Sequence, residues 1–299
     1  MKEVNLDCVV IGGGPAGLAG AIYLARFQRS VTVLDAGRSR ALLIPCTNNL
    51  PGFPGGISGE ALLGRLENQA ALFGVPIERL TVTAVRRDGQ RFAVEAGDTT
   101  IHARAVLLAT GVVDRRPQID GLDQFIRRGL VRLCPICDAH EVTGRSIGVL
   151  GPAERSVREA CFLRTYTEQL TVLTLDPPGD HLSEQLRKKA IASLEAGIRA
   201  LAPGEPGVIA TLSDGRQLHF DTLYLALGAD PGSALALQLG ANISTGGCLP
   251  VDRHQRTSVP GLYAAGDVVE QLDQIAVAFG HAAIAARTIH NDLRSGGSE

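Results

Sequence analysis

No stretch of the chain approaches the roughly 18–20 consecutive apolar residues that a membrane-spanning helix requires. The opening residues, Met1 to Asp7, also lack the apolar region of a secretory signal, so a soluble, cytoplasmic protein without membrane contacts is expected. Cysteine is sparse. Six in 299 residues are too few for a disulfide scaffold, and a reducing compartment would keep most of them as thiols. Cys8 and Cys161 lie in apolar strand or helix patterns and read as small buried hydrophobes. Basic excess is missing too: with a formal charge of -2, nucleic acid and anionic lipid are not expected partners. The pairs Arg115–Arg116 and Arg127–Arg128 and the run Arg187 to Lys189 read as solvated faces.

What is present suits two domains, each long enough to bury its own core. Asp7 to Ile11 is a β-branched run, Leu18 to Phe27 has helical spacing, and Val31 to Leu34 returns to strand with Asp35 at its end. A helix is expected over Ile57 to Phe73, capped by Ser58 and stopped by Gly74. A hairpin follows around Asp88-Gly89, then an apolar strand, Ala105 to Ala109, running into Thr110-Gly111.

The same order then recurs. It runs through strand Ser146 to Leu150, helix Glu154 to Thr165, strand Leu170 to Leu175, helix Leu182 to Leu194, a hairpin around Asp214-Gly215 and strand Thr222 to Ala226. A last segment, Val259 to Asp267 and a helix from about Gln274 to Leu293, has no counterpart in the second copy and belongs with the first. The expected fold is α/β, with two Rossmann-like dinucleotide-binding domains, the second inserted in the first. Residues 1–113 and 244–299 would form one domain and 114–243 the other, with the crossings as natural hinges.

Gly12-Gly13-Gly14-Pro15-Ala16-Gly17 follows a strand and opens a helix, with an acid downstream, which raises a weak glycine motif to a strong one. Gly12, Gly14 and Gly17 allow the tight turn, the approach of a pyrophosphate to backbone and the packing of helix on strand. Asp35 is placed to accept from a ribose hydroxyl. The second landmark is Cys134-Pro135-Ile136-Cys137-Asp138. A C-x-x-C pair is either half a metal site or a redox couple. Only His140 lies nearby and no second C-x-x-C exists, so redox is favoured and no metal is expected. Cysteines three apart can reach disulfide separation, and such pairs hold one thiol partly ionised near neutrality.

At Gly261 to Asp267 the chain resembles the two-dinucleotide-domain flavoprotein disulfide reductases, whose Ala-Gly-Asp turn contacts the flavin. The resemblance implies FAD in the first site, contacted by Gly266 and Asp267, by Thr110 and Gly111, and by the helix start Gln274, Ile275 and Ala276. Asn49 would lie against the isoalloxazine. C-x-x-C-D at the start of the inserted domain is similar to bacterial low-molecular-weight thioredoxin reductases. That resemblance implies that Cys134 exchanges with substrate, Cys137 stands nearer the flavin and Asp138 moves protons, with His140 and Glu141 as further proton-handling candidates. It also implies a homodimer.

The second loop departs from that family. Gly151-Pro152-Ala153-Glu154-Arg155-Ser156 replaces G-x-G-x-x-A: Pro152 offers no N–H, Ala153 adds a methyl, and Glu154 puts negative charge where a pyrophosphate would sit. No arginines follow Leu175 to grip a 2'-phosphate; Asp176 stands there instead, where it could accept from an NADH ribose. Arg155 is a candidate compensating phosphate ligand, and Asp273 replaces the arginine expected before Gln274. NADPH is therefore disfavoured, a pattern similar to flavin-dependent dithiol oxidases of the gliotoxin and holomycin type. The expected activity is an FAD-dependent dithiol/disulfide oxidoreductase acting on a small-molecule dithiol or a thioredoxin-like protein. The competing readings are an NAD(P)H-dependent thioredoxin reductase with a degenerate loop, one fed by a ferredoxin-type donor, and a flavin-bound redox sensor without turnover.

Overall fold

The β-branched start of the chain forms strand β1 (Asn5–Ile11), and Pro15 opens helix α1 (Pro15–Arg26), where a missing N–H costs nothing. The computed structural model describes residues 5–295. Next come β2 (Val31–Leu34) and α2 (Gly59–Leu72), with Ser58 Oγ accepting the Ala61 N–H as the sequence implies. Gly74, in the left-handed region at φ +68°, ends α2. Four strands follow: β3 (Ile77–Glu78), the hairpin β4 (Val82–Asp88) and β5 (Arg91–Ala96), and β6 (Thr99–Leu108).

A short strand, β7 (Val112–Asp114), leads into the second unit. There the chain forms α3 (Leu122–Arg127), β8 (Val131–Arg132), α4 (Pro135–Asp138), β9 (Ile147–Gly151), α5 (Ala153–Leu163), β10 (Leu170–Thr174) and α6 (Asp180–Lys188). The helix expected to reach Leu194 stops at Lys188. Ala190 takes φ +52°, and Ala192–Glu195 leaves the helix to become β11, paired parallel with β10. A three-stranded antiparallel sheet, β12 (Ile198–Pro203), β13 (Val208–Leu212) and β14 (Gln217–Phe220), precedes β15 (Thr222–Leu225). The parallel sheet of this unit is ordered β11-β10-β9-β15-β8.

The return strand β16 (Ala229–Pro231) pairs with β7. Then come α7 (Ala234–Gln238), β17 (Leu262–Ala264) and the long α8 (Ile275–Ser295). The first unit's sheet is ordered β3-β2-β1-β6-β5-β4, with β17 on β6. By contact the first unit comprises, among the described residues, 5–42, Ser58–Val113 and 230–295; the second comprises Leu43–Ile57 and Asp114–Ala229. Return to the first unit at Asp230 precedes the expected 244, because α7 lies against β4: Gln238 accepts the Val85 N–H at 3.0 Å. Leu43–Ile57 joins the second unit partly through Leu43, which packs on its core.

In each unit apolar helix faces close on the sheet. Leu24, Val10, Leu107 and Ile289 belong to one cluster of the first unit, and Val149, Val157, Leu163 and Tyr224 to one of the second. Cys8 is fully buried, and burial drives its thiol pKa far above the ordinary value. Among the described residues no helix is long and apolar enough to cross a membrane.

Candidate functional site

The first glycine loop is built by close approach. A Cβ on Gly12, which takes φ +111°, would strike the Ala109 carbonyl oxygen, and one on Gly17 would strike the Gly12 carbonyl oxygen. A Cβ on Gly13 would meet the Asp35 carboxylate, whose Oδ1 accepts the N–H groups of Gly13 at 3.2 Å and Gly37 at 3.1 Å. Arg79 forms a close ion pair with Asp35 and a second bond, at 2.6 Å, with Glu67. The loop therefore presents bare backbone at the N-terminus of α1, with a buried acid beside it. This geometry fits a dinucleotide pyrophosphate and ribose.

The late turn belongs to the same place. A Cβ on Gly266, at φ +80°, would come within 2.9 Å of Ala16 Cβ, so the Ala-Gly-Asp turn sits on the first turn of α1. The Ala265 N–H donates to Leu108 O at 2.9 Å and ties the turn to β6. Asp267 bridges Arg40 at 3.4 Å. Gln274 precedes α8, its carbonyl accepting the Ala278 N–H at 2.9 Å, and Ile275 and Ala276 are the first helical residues. Thr110 Oγ1 donates to Gly232 O at 2.7 Å, and Gly111 O accepts the Gly232 N–H at 2.8 Å. The environment at this end is acidic: burial and the carboxylates of Asp273, Glu270 and Asp267 push the Cys248 thiol up.

The second unit carries the sulfur pair. Cys134 and Cys137 are joined as a disulfide, with Cα atoms 5.3 Å apart, on the single turn of α4. Ile136 between them is 55% exposed. Asp138 ends that turn with both oxygens engaged: Tyr224 Oη donates to Oδ1 at 2.7 Å and Arg132 Nη1 to Oδ2 at 2.7 Å. Burial raises the Asp138 pKa, opposed by the charge of Arg132 and the Tyr224 hydrogen bond. Glu141 Oε1 accepts from Asn48 Nδ2 at 2.9 Å, and Asn49 Oδ1 accepts from Thr47 Oγ1 at 2.8 Å. Asn49 thus belongs to the unit of the cysteines, not to that of the glycine loop.

Strand register makes the two loops comparable. Ile11 pairs with Leu34 and Leu108, and Leu150 pairs with Leu173 and Leu225. Counting onward, Gly151 corresponds to Gly12, Ala153 to Gly14 and Ser156 to Gly17. Gly151 keeps its role, since a Cβ there would strike Ala226 O. The rest diverges. Ser156 is fully buried and its Oγ donates to Pro152 O at 2.9 Å, while α5 begins at once at Ala153. The Ala153 N–H is already taken by Asp176 Oδ1 at 2.9 Å. Arg155 lies against Gly228 with its Nε bonded to Glu159 Oε1 at 3.3 Å, so its charge is met by a carboxylate.

Sequence reading had missed Arg79, Arg40, Arg132 and Tyr224. Each acts through a side-chain partner six to 227 positions away, for which no local motif exists.

With this geometry in hand, comparison with known proteins is consistent. The family model of the pyridine nucleotide-disulphide oxidoreductases matches residues 6–282. Thioredoxin reductase of Mycolicibacterium smegmatis is 31% identical over 284 residues, covering 88% of each chain. The crystal structure of thioredoxin reductase from Streptococcus pyogenes MGAS5005 superposes with TM-score 0.91 at 25% identity, covering 98% of this chain and all of that one. That of HlmI superposes with TM-score 0.90 at 27% identity, covering 98% and 94%. The chain belongs to the pyridine nucleotide-disulphide oxidoreductase family and is a thioredoxin reductase-like flavoprotein disulfide oxidoreductase.

Proposed function

We propose that the chain is an FAD-dependent dithiol/disulfide oxidoreductase that passes electrons between the Cys134–Cys137 pair, the flavin and a thiol partner without using NADPH. One contrast carries the reading. The first loop keeps its bare glycine backbone, whereas in the second the position corresponding to Gly14 has its N–H occupied by the Asp176 carboxylate. An anionic pyrophosphate gains nothing there: Pro152 lacks an N–H, Asp176 and Glu154 repel it, and Arg155 is bonded to Glu159. The second site does not fit a pyridine dinucleotide.

The first site fits FAD. Gly12, Gly14, Pro15, Ala16 and Gly17 would receive the pyrophosphate and Asp35 the ribose. Thr110, Gly111, Gly266, Asp267 and the start of α8 at Gln274, Ile275 and Ala276 would line the remaining cofactor. Bound there, FAD supplies a two-electron acceptor or donor. The chain's own residues carry the sulfur chemistry. A substrate thiolate attacks Cys134 Sγ, the Cys134–Cys137 bond breaks, and Cys137 leaves as a thiolate with both bond electrons. Asp138 supplies a proton to that leaving sulfur or removes one from the substrate's second thiol. Attack by that second sulfur on the mixed disulfide frees Cys134 and leaves the substrate as a disulfide. The net step moves two electrons and two protons from substrate to enzyme, which oxygen can accept to give hydrogen peroxide.

A small-molecule dithiol as substrate is supported by the chain's sequence resemblance to flavin-dependent dithiol oxidases of the gliotoxin and holomycin type. A thioredoxin-like protein is the second reading, supported by the thioredoxin reductases among the relatives. A cytoplasmic homodimer completes the proposal. The test is anaerobic mixing of the FAD-loaded protein. Bleaching of the flavin by dithiols and not by NADPH or NADH supports the oxidase reading. Prompt bleaching by a nicotinamide restores the reductase, and bound flavin without turnover of any thiol leaves a sensor.

A further inference from the structure

We infer that Tyr224 and Arg132 are positioning residues that hold the Asp138 carboxylate in one orientation for proton transfer at the sulfur pair. The inference rests on the acid–base role proposed for Asp138 and goes beyond it, because neither residue lies in the C-x-x-C-D turn.

The two donors are register partners. β15 pairs parallel with β8, and Tyr224 stands opposite Arg132. Side chains at paired positions leave a sheet on the same face, and neighbouring strands lie about 4.8 Å apart. Two donors therefore arrive side by side on a rigid scaffold. Each takes a different oxygen of the same carboxylate, both at 2.7 Å.

The side chains are costly choices for a structural role. Tyr224 is wholly buried, within the apolar cluster of the second unit. Phenylalanine would fill that space without a hydroxyl to desolvate, and the Tyr224 hydroxyl donates to Asp138. Arg132 occupies one of the two residues of β8, with its Nε buried and without a hydrogen-bond partner among the described residues. The Arg132 side chain, only 19% exposed, offsets part of its desolvation by pairing with the Asp138 carboxylate. Among the described residues, the charge of Glu141 also bears on Asp138 and opposes its ionisation. Burial and Glu141 thus push toward the protonated acid, while Tyr224 and Arg132 push back. A poised acid–base group needs this balance.

The test uses the full-length, FAD-loaded protein and reads the sulfurs directly. Dithiothreitol reduces the Cys134–Cys137 disulfide across a pH series, and acid quenching with alkylation and mass spectrometry gives the rate. Asp138→Asn should slow exchange and erase the inflection in the profile. Tyr224→Phe should move that inflection up by about one pH unit, since a donor to the charged form is lost. Arg132→Met should move it up further. In the Asp138→Asn background, Tyr224→Phe should have no added effect. An inflection that stays in place in both Tyr224→Phe and Arg132→Met, while Asp138→Asn erases it, overturns the positioning role alone. Equal effects of Tyr224→Phe with and without Asp138 also overturn it, by marking a purely structural contribution. If Asp138→Asn leaves the profile unchanged, the acid–base reading falls and the inference with it.

Discussion

Asp176 Oδ1 accepts the backbone N–H of Ala153 at 2.9 Å, at the opening of α5 in the second unit. The first unit has a related bond, Asp35 to Gly13 at 3.2 Å, yet the outcomes differ. Asp35 bonds the middle glycine of the loop and leaves the Gly14 end of α1 without a side-chain cap. Asp176, two positions beyond the register counterpart of Asp35 and past the end of β10, bonds the Ala153 N–H at the start of α5. The second helix has its anion already, supplied by the chain.

Nicotinamide dinucleotides should therefore find no site. Titration calorimetry with NADPH or NADH is expected to show no saturable binding up to about 1 mM, the weak end of ordinary substrate affinities. Heat saturating at micromolar concentrations would show that the capped loop opens for a dinucleotide.

The two loops should also respond oppositely to one methyl group. Gly17→Ala places a Cβ against the Gly12 carbonyl oxygen, at the heart of the proposed flavin site. Such overpacking costs about 1–3 kcal/mol, and flavin retention on gel filtration should fall about tenfold or more. Ala153→Gly, at the position corresponding to Gly14, should leave flavin content unchanged. Equal losses from both substitutions would contradict the assignment of FAD to the first loop.

Acid stability should depend on the last helix. Arg256 grips Asp292 of α8 at 2.7 and 2.9 Å, and Tyr263 Oη donates to the same carboxylate at 2.6 Å. The Arg256 hydrogen bond, ahead of the others, holds the Asp292 pKa below its ordinary 3.8. A lowered folded value means that the stabilisation is complete above the unfolded pKa, near 4, and disappears as pH falls through the folded value. Arg256 is 40% and Asp292 34% exposed, so Asp292→Asn should cost only about 1 kcal/mol at pH 7. In urea melts the gap between wild type and variant should close as pH falls below the ordinary carboxylate value. A gap that persists there would assign it to packing instead.

These features were unequally legible in the sequence. The glycine loop could be read because its constraints are local: the residues that must lack a Cβ sit within six positions, with a strand before and a helix after. The C-x-x-C turn is legible for the same reason. Tyr224 showed only as one apolar residue in Thr222–Leu225, since its hydroxyl meets Asp138 across 86 positions. Arg132, between Val131 and Leu133, carries no signal until register sets it opposite Tyr224. The apolar spacing of Leu182 to Leu194 suited one long helix, but the left-handed turn at Ala190 and the pairing of β11 on β10 outweighed propensity. The closure of the second loop was half visible. Pro152 and Ala153 announced a damaged nest, while the Asp176 carboxylate on Ala153 needed the fold to bring it there.

Whether sulfur and flavin exchange electrons within this protein is tested most directly by anaerobic titration of the FAD-loaded protein with dithiothreitol, wild type beside Cys137→Ser. Wild type should lose its visible flavin absorbance with a stoichiometric amount of dithiol, and Cys137→Ser should stay oxidised under the same additions. Equal bleaching of the two proteins, or a wild type that holds its colour against excess dithiol, would contradict an electron path through Cys134 and Cys137.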